Sequence, residues 1–185
     1  DVGIFVDGTL AFSYRDFDAV VKGKIETISV VNKGNNYEST PYVLLNDIPF
    51  KAKAVMSGEV VSSITVNSED VYDKDPVVTI TSGRNAEVTP IVTNGEITSI
   101  VITNPGEYYS SPPEIRIIDQ LGKGNFVEVE SVISADGRLV QCRIINGGRF
   151  YSRENLFVEI IPQGSGATAT ATVKRWVKNR YNNLN

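Results

Sequence analysis

Apolar and polar residues alternate along most of this chain, and the alternation returns in four similar blocks. Each block opens with a run of the form Gly-x-Ile-x-x-Ile-x-Val, which is clearest at residues 23–30. A second apolar run follows a tyrosine, and a third alternation uses small residues, as in 167–173. Alternation with a period of two in stretches rich in Val, Ile and Thr is typical of half-buried β-strands. The pattern therefore predicts three strands per block, no helix before the last dozen residues, and an all-β fold.

The blocks define tandem repeats whose aligned tyrosines, Tyr37, Tyr72, Tyr109 and Tyr151, lie 35, 37 and 42 residues apart. A period in this range is typical of repeat architectures. The predicted divisions are an incomplete repeat with a hairpin at 1–22, repeats at 23–56, 57–93, 94–133 and 134–173, and a basic tail at 174–185. The repeats can form a solenoid, a propeller or prism, or successive sandwiches. Unequal spacing favours successive small β-domains, followed by a short helical or irregular tail.

Three residue types recur at fixed places in the repeats. Glycine two positions after an asparagine is expected at positive φ, and proline is expected to fix φ at a strand entrance. The tyrosine is expected to pack its ring under the loop and to direct its hydroxyl to a backbone partner, although a series of exposed rings would suit sugar stacking. In the second repeat Glu69 replaces the glycine, so that loop is expected to differ. These signature residues are Gly34, Tyr37, Pro41, Tyr72, Pro76, Gly106, Tyr109, Pro113, Gly148 and Tyr151.

The amino-acid composition limits the kinds of chemical function that the chain can have. The chain is 41% hydrophobic and 22% charged, which is typical of a folded domain. It has no histidine, the commonest general base and transition-metal ligand, and a single cysteine, Cys142, which excludes an internal disulfide. We therefore expect a protein that is not an enzyme and has no cofactor, and we expect Cys142 to be a small core residue.

One acidic loop is the densest set of possible metal ligands. Its carboxylates belong to Glu69, Asp70, Asp73 and Asp75. Calcium takes six to eight oxygen ligands, but the spacing matches no calcium-loop signature, and Lys74 lies inside the loop. A solvated acidic turn is the preferred interpretation, and no metal site is expected. The glycine-rich runs 122–124 and 164–166 precede no helix and are predicted to be simple turns.

Charge is divided along the chain. The net charge is −4, but every residue after Glu159 that carries a charge is basic. The acidic remainder makes nucleic-acid binding unexpected, and no apolar run is long enough for a membrane span. The basic end contains Lys174, Arg175, Trp176, Lys178, Arg180 and Tyr181. It is predicted to be either a short helix capping the last sheet or an arm that docks on a partner chain.

The repeat Gly-x-Ile-x-x-Ile-x-Val-x-Asn-x-Gly-x-x-Tyr-x-x-x-Pro-x-Val-x-Ile, followed by Gly-x-Gly-Ala-x-Ala-x-Ala-x-Val, resembles the β-repeats of tailed-bacteriophage virion proteins. The similarity is greatest to baseplate and tail-fibre structural proteins of large contractile-tailed phages. Residues 95–117 and 137–173 carry it, and it extends from about residue 23 to 173.

The resemblance implies a structural role in the virion, with other virion proteins as partners in a homo- or hetero-oligomer that assembles in the host cytoplasm. The alternative is a carbohydrate-binding or adhesin module that stacks a host-surface glycan on Tyr37, Tyr109 or Tyr151. Because Asp1 opens the chain inside a strand-like pattern, we expect a piece of a longer polypeptide.

Overall fold

The computed structural model describes residues 3–6, 9–13 and 22–175, and nearly all of its regular structure is β-strand, which confirms the predicted all-β fold. Among these residues one 3-10 turn, Arg153–Asn155, interrupts the strands. The strands are β1 (Gly3–Val6), β2 (Thr9–Ser13), β3 (Gly23–Asn35), β4 (Tyr42–Leu45), β5 (Ile48–Ser57), β6 (Val60–Val66), β7 (Val71–Tyr72), β8 (Val78–Thr81), β9 (Arg84–Thr93), β10 (Glu96–Glu107), β11 (Glu114–Asp119), β12 (Asn125–Ile133), β13 (Leu139–Arg149), β14 (Leu156–Ile161) and β15 (Ser165–Arg175).

The structure describes a strand pair near the start of the chain and a long strand near its end. β1 and β2 pair antiparallel, which confirms the hairpin predicted at the start of the chain, while its turn residues 7–8 lie outside the described residues. At the other end β15 continues through Lys174 and Arg175, so these two residues are strand and not tail. The prediction of a helical or irregular tail otherwise falls on residues 176–185, which lie outside the described part.

Long antiparallel ribbons connect neighbouring repeats. β5 pairs with β6, β9 with β10, and β12 with β13, so the third strand of each predicted repeat pairs with the first strand of the following repeat. β15, the third strand of the last repeat, pairs with β3, the first strand of the first. The series therefore closes on itself, and no repeat completes its hydrogen bonding alone.

The ribbons and two short strand pairs enclose two hydrophobic cores. The first half, β3–β8 with β15, surrounds a core that includes Val43, Leu45 and Val61. The second half, β9–β14, surrounds Ile97, Ile117 and Leu139. The short pairs β4–β8 and β11–β14 occupy corresponding places in the two halves. Each core is thus built by side chains from two repeats and one strand that arrives from the other half.

The chain crosses between the halves twice. Residues 82–83 lead from β8 in the first half to β9 in the second, and residues 162–164 lead back from β14 to β15. The two crossings touch, because the Ser82 hydroxyl donates a hydrogen bond of 2.6 Å to the carbonyl oxygen of Gly164. Each half therefore contributes one strand to the other.

Candidate functional site

Three of the four repeat tyrosines are buried. Tyr37, Tyr109 and Tyr151 are 3%, 2% and 6% exposed. The hydroxyl of Tyr37 accepts a hydrogen bond from the Ala167 amide at 3.2 Å, and that of Tyr109 accepts one from the Ala86 amide at 3.3 Å. Burial raises the pKa of Tyr109 and Tyr151, and the backbone of Val127 next to the Tyr151 hydroxyl acts against this rise. These contacts confirm the predicted packing of the ring and the hydroxyl.

The glycine of each signature has the backbone conformation expected from the sequence. Gly34, Gly106 and Gly148 have φ of 63°, 63° and 66°. Each amide donates a hydrogen bond of 2.9–3.0 Å to the side-chain oxygen of the asparagine two positions earlier. This local bond holds the end of the first strand in the conformation that brings the tyrosine back over the ribbon.

A second glycine, which sequence reasoning missed, lies against each buried ring. A β-carbon at Gly83 would lie 2.0 Å from Tyr109, one at Gly124 would lie 2.3 Å from Tyr151, and one at Gly164 would lie 2.4 Å from Tyr37. In every case the amide that meets the tyrosine hydroxyl comes three residues after this glycine. The run Gly-x-x-Ala or Gly-x-x-Val was the available signal, and two of its copies overlap the runs predicted to be simple turns. We call the buried tyrosine, its asparagine–glycine turn and this second glycine the tyrosine motif.

Burial of the rings corrects the sugar-stacking interpretation for Tyr37, Tyr109 and Tyr151, because a ligand has no access to their faces. Tyr72 is different. It is half-buried in β7, which pairs with the start of β3. The second-repeat loop, where Glu69 stands in place of glycine, therefore departs from the others as predicted.

The acidic loop does not converge on a metal site. Glu69 forms an ion pair with Lys24, and Asp70 lies 3.0 Å from the ammonium of Lys51. Asp75 accepts the Val173 amide at 3.0 Å and lies 3.4 Å from Arg175. Each of these carboxylates thus faces a different cation. Among the described residues no group of three or more acidic or cysteine side chains is placed to hold a metal ion.

Two other titratable groups have structural surroundings. Cys142 packs against the second core, as predicted, and burial raises its pKa to about 11. Asp119 is buried at the end of β11, where its carboxylate accepts amide hydrogen bonds from Gly124 at 2.7 Å, Leu121 at 3.0 Å and Lys123 at 3.0 Å. These bonds order the loop that carries Gly124 to Tyr151, and they hold the pKa of Asp119 below its ordinary value of 3.8.

Asp119 is expected to make stability dependent on pH in the acid range. Because its pKa is lower in the folded chain, the carboxylate stabilises the fold above pH 3.8, and this contribution is lost as pH falls through the folded-state pKa. Asp119→Asn should therefore be less stable than the wild type near neutral pH, with a difference that shrinks on acidification. Urea unfolding of both proteins from pH 7 to pH 3 measures it. A difference that stays constant over this range contradicts the assignment.

Outside the tyrosine motifs, aromatic side chains occupy backbone positions with positive φ. Two such positions recur, one immediately before the motif tyrosine and one near the start of the third strand. Their occupants are Asn36, Tyr108 and Phe150 at the first position, and Phe50, Asn85, Phe126 and Gly166 at the second. Phe50, Phe126 and Phe150 are 76%, 64% and 65% exposed. The recurring motif thus presents large apolar rings on the surface.

The first group of these rings, which we call the junction cluster, joins Tyr42 and Phe50 of the first half to Tyr108 and Arg84 of the second. The Tyr42 ring lies 6.2 Å from Phe50 edge-to-face and 5.5 Å from Tyr108. The Arg84 guanidinium lies 5.3 Å from the centre of the Tyr108 ring, within the range of a cation–π contact.

Arg84 is also held by two carboxylates. Its Nε donates to Glu107 at 2.9 Å, and its Nη1 lies 3.3 Å from Asp47. A groove of about 430 Å³ runs beside Tyr42 and Phe50 and includes Lys53 and Asn67. The junction cluster therefore combines exposed aromatic surface with nearby polar groups.

The second group, the Phe126 cluster, surrounds Arg149. The guanidinium of Arg149 lies 5.1 Å from the centre of the Phe126 ring and 5.6 Å from that of Phe150. Phe126 and Phe150 occupy the two positive-φ positions beside the tyrosine motif of Tyr151. Neither cluster was predicted from the sequence, because their members come from distant segments.

The basic residues that were predicted to contact a partner are only partly described. Lys174 lies 3.6 Å from Glu26, and Arg175 lies 3.4 Å from Asp75, so both form exposed ion pairs within the chain. Such pairs contribute little to stability. Trp176, Lys178, Arg180 and Tyr181 lie outside the described residues. Among the described residues no helix is both apolar enough and long enough to span a membrane.

Comparison with protein-family models, with curated proteins and with solved structures finds no match for this chain.

Proposed function

We propose that this chain is a rigid, non-catalytic module of a larger protein assembly, of the kind found in the baseplates and tail fibres of contractile-tailed phages. Its contacts with neighbouring proteins are made by the junction cluster and the Phe126 cluster. The observation that carries the proposal is the placement of exposed aromatic rings on backbone positions that favour glycine or asparagine.

The energetic argument rests on comparing equivalent positions. A residue with a β-carbon in the left-handed region costs about 1–2 kcal/mol, and asparagine tolerates it better than a bulky residue. Asn36 and Gly166 occupy such positions beside the motif of Tyr37, and Asn85 occupies one beside that of Tyr109, whereas Phe126 and Phe150 occupy both beside that of Tyr151. Because these two rings remain mostly exposed, their own burial does not offset the strain. Contact with a partner would offset the strain, since aromatic and arginine side chains dominate the energetics of protein interfaces.

The fold supports such a role by holding the clusters in place. Phe126 and Phe150 flank a buried tyrosine, and Tyr108 precedes another, so their backbone positions are set by packed motifs. A surface that is ordered before binding loses less conformational entropy when it binds. A rigid scaffold with fixed aromatic contacts therefore suits an assembly component.

The double variant Phe126→Asn/Phe150→Asn tests the proposal. We expect its free energy of unfolding to be unchanged or higher by up to about 1 kcal/mol per site, because asparagine relieves the left-handed strain. Association of the full chain, measured as solution mass by light scattering over a concentration series, is expected to decrease. Urea unfolding provides the stability measurement.

The matched control is Phe157→Asn, which changes an exposed phenylalanine of β14 that does not have positive φ. This variant should gain no stability, because asparagine is disfavoured in strands. The proposal fails if the double variant loses more than about 1 kcal/mol, since the rings would then serve the fold itself. Removing residues 176–185 in a separate chain tests the predicted docking arm without altering β15.

Glycan binding is the second candidate function, and the junction cluster is the observation that favours it. Its groove places exposed Phe50 and half-buried Tyr42 next to Asn67 and Lys53, which offers an aromatic face with hydrogen-bonding groups beside it. Binding on a glycan array that Phe50→Ala abolishes would support this function. A wild-type chain that retains no glycan leaves the assembly proposal as the better one.

A further inference from the structure

We propose that β15 is exchanged between copies of this chain, so that residues 164–175 of one copy complete the first half of another. The partner is thus a second copy, and the interface is the surface that β15 covers within a single chain. This inference goes beyond the proposed function, because it concerns an element away from both aromatic clusters.

β15 is a large part of the first half, yet no turn connects it directly to β3, the strand with which it pairs. Ala167, Ala171 and Val173 are buried in or beside the first core. The strand pairs with β3 from Ser165↔Asn35 to Arg175↔Gly23. Every contact that holds β15 against β3 is therefore noncovalent, and the chain between the two strands runs through both halves.

The fold already uses strand donation between its halves. β9 follows β8 of the first half but pairs with β10 of the second, and it contributes Ala86 and Val88 to the second core. β15 makes the reverse transfer through the neighbouring crossing. Ala86 and Ala167 play the same part in the two tyrosine motifs, since each donates its amide to a tyrosine hydroxyl. Each half of this fold is thus completed by a strand that follows, along the chain, a strand of the other half.

The connection before β15 is a short hinge of the kind that promotes exchange between copies. When two copies exchange an identical strand, the strand keeps the same contacts, and only the hinge changes. Here the hinge is residues 162–163, in which Pro162 restricts φ, whereas Gly164 packs against Tyr37 and moves with the strand. Short, constrained hinges promote exchange between copies. Closure within one chain does not depend on protein concentration, whereas exchange requires two chains. The exchanged fraction must therefore increase with protein concentration.

The test uses two chains that can be joined only across the exchanged contact. Ser29 and Thr170 are exposed and lie directly opposite each other on β3 and β15, at a separation that antiparallel partners can bridge by a disulfide. One chain carries Ser29→Cys and the other carries Thr170→Cys, both with Cys142→Ala and with tags of different mass. The chains are mixed unfolded, refolded together, oxidised, and examined by mass spectrometry for a disulfide-linked heterodimer.

We expect the heterodimer to form and its fraction to rise with protein concentration. The control mixture carries Glu130→Cys in one chain and Arg143→Cys in the other, at an opposed pair in β12 and β13 that the turn after β12 keeps within one chain. It should yield no heterodimer above background. A short Gly-Ser insertion after Gln163 should lower the exchanged fraction, because a longer hinge allows closure within one chain.

Two results would overturn the proposal. The first is a heterodimer no more abundant than in the control mixture at every concentration, and the second is an exchanged fraction that the lengthened hinge leaves unchanged. Adding Phe126→Asn/Phe150→Asn to the cysteine chains separates this inference from the proposed function. Loss of aromatic contacts should leave the disulfide-linked heterodimer in place.

Discussion

Gly83→Ala is expected to lower the free energy of unfolding by more than about 3 kcal/mol, because overpacking and left-handed backbone strain act together at this site. The new β-carbon would lie 2.0 Å from Cδ1, 2.3 Å from Cε1 and 2.6 Å from Cγ of Tyr109. Gly83 also has φ of 142°, which side chains rarely adopt. The ring has little freedom to move away, because its other edge packs against Gly106. A β-carbon at Gly106 would lie only 2.8 Å from Cε2 of Tyr109.

Gly122→Ala is the matched control for this substitution. Gly122 also has positive φ, at 68°, but no heavy atom lies within 4 Å of the site of its β-carbon. Only the backbone term remains, so we expect a loss of about 1 kcal/mol. Urea unfolding of the two variants beside the wild type measures both values. Equal losses would mean that contact with the tyrosine ring contributes nothing.

Tyr109→Ala is expected to destabilise the chain by about 3–5 kcal/mol, the usual loss when a buried aromatic side chain is removed and a cavity remains. Tyr109 is 2% exposed, its ring packs against Gly83, and its hydroxyl accepts the Ala86 amide, so the side chain holds the start of β9. Removing it should loosen this contact, whereas the backbone amide of residue 109 can still donate to the Gly137 carbonyl. Thermal and urea unfolding, monitored by the loss of β-sheet circular dichroism, measure the effect.

Tyr109→Phe separates the hydroxyl from the ring. The phenyl ring keeps the packing but leaves the Ala86 amide without its acceptor, which costs about 1–3 kcal/mol if that amide stays buried. Tyr72→Ala serves as a comparison within the chain, because Tyr72 is half-buried and should therefore give a smaller loss than Tyr109→Ala. The tyrosine motif would lose its proposed structural importance if alanine at positions 72 and 109 had the same effect.

Several parts of this architecture follow from local sequence. Alternation in residues 95–101 and 167–173 predicts strands, because successive side chains of a strand point to opposite faces. The positive φ of Gly34, Gly106 and Gly148 also follows, since each amide bonds to an asparagine only two positions away. The same locality accounts for the different loop at Glu69. All of these features depend on residues that are close in sequence.

The candidate site could not be found in that way. The buried faces of Tyr37 and Tyr109 depend on Gly164 and Gly83, which lie 127 and 26 residues away in sequence. The junction cluster and the Phe126 cluster likewise assemble residues from separate strands. An exposed tyrosine and a buried one have the same local pattern, and only the packing partner distinguishes them. For this reason the sequence left sugar stacking open as an alternative at rings that are buried, and it passed over Phe50, Phe126 and Phe150.

The sequence by itself determined the all-β character, the repeat period and the conformation of the signature glycines, because each is decided by side-chain alternation or by a hydrogen bond within a few residues. The tertiary structure alone decided which strands pair and which aromatic rings are exposed. β15 pairs with β3 although the other strands of both halves lie between them in sequence, and no local signal specifies that partner. Closure of the repeats and exposure of the aromatic clusters are consequences of that long-range pairing.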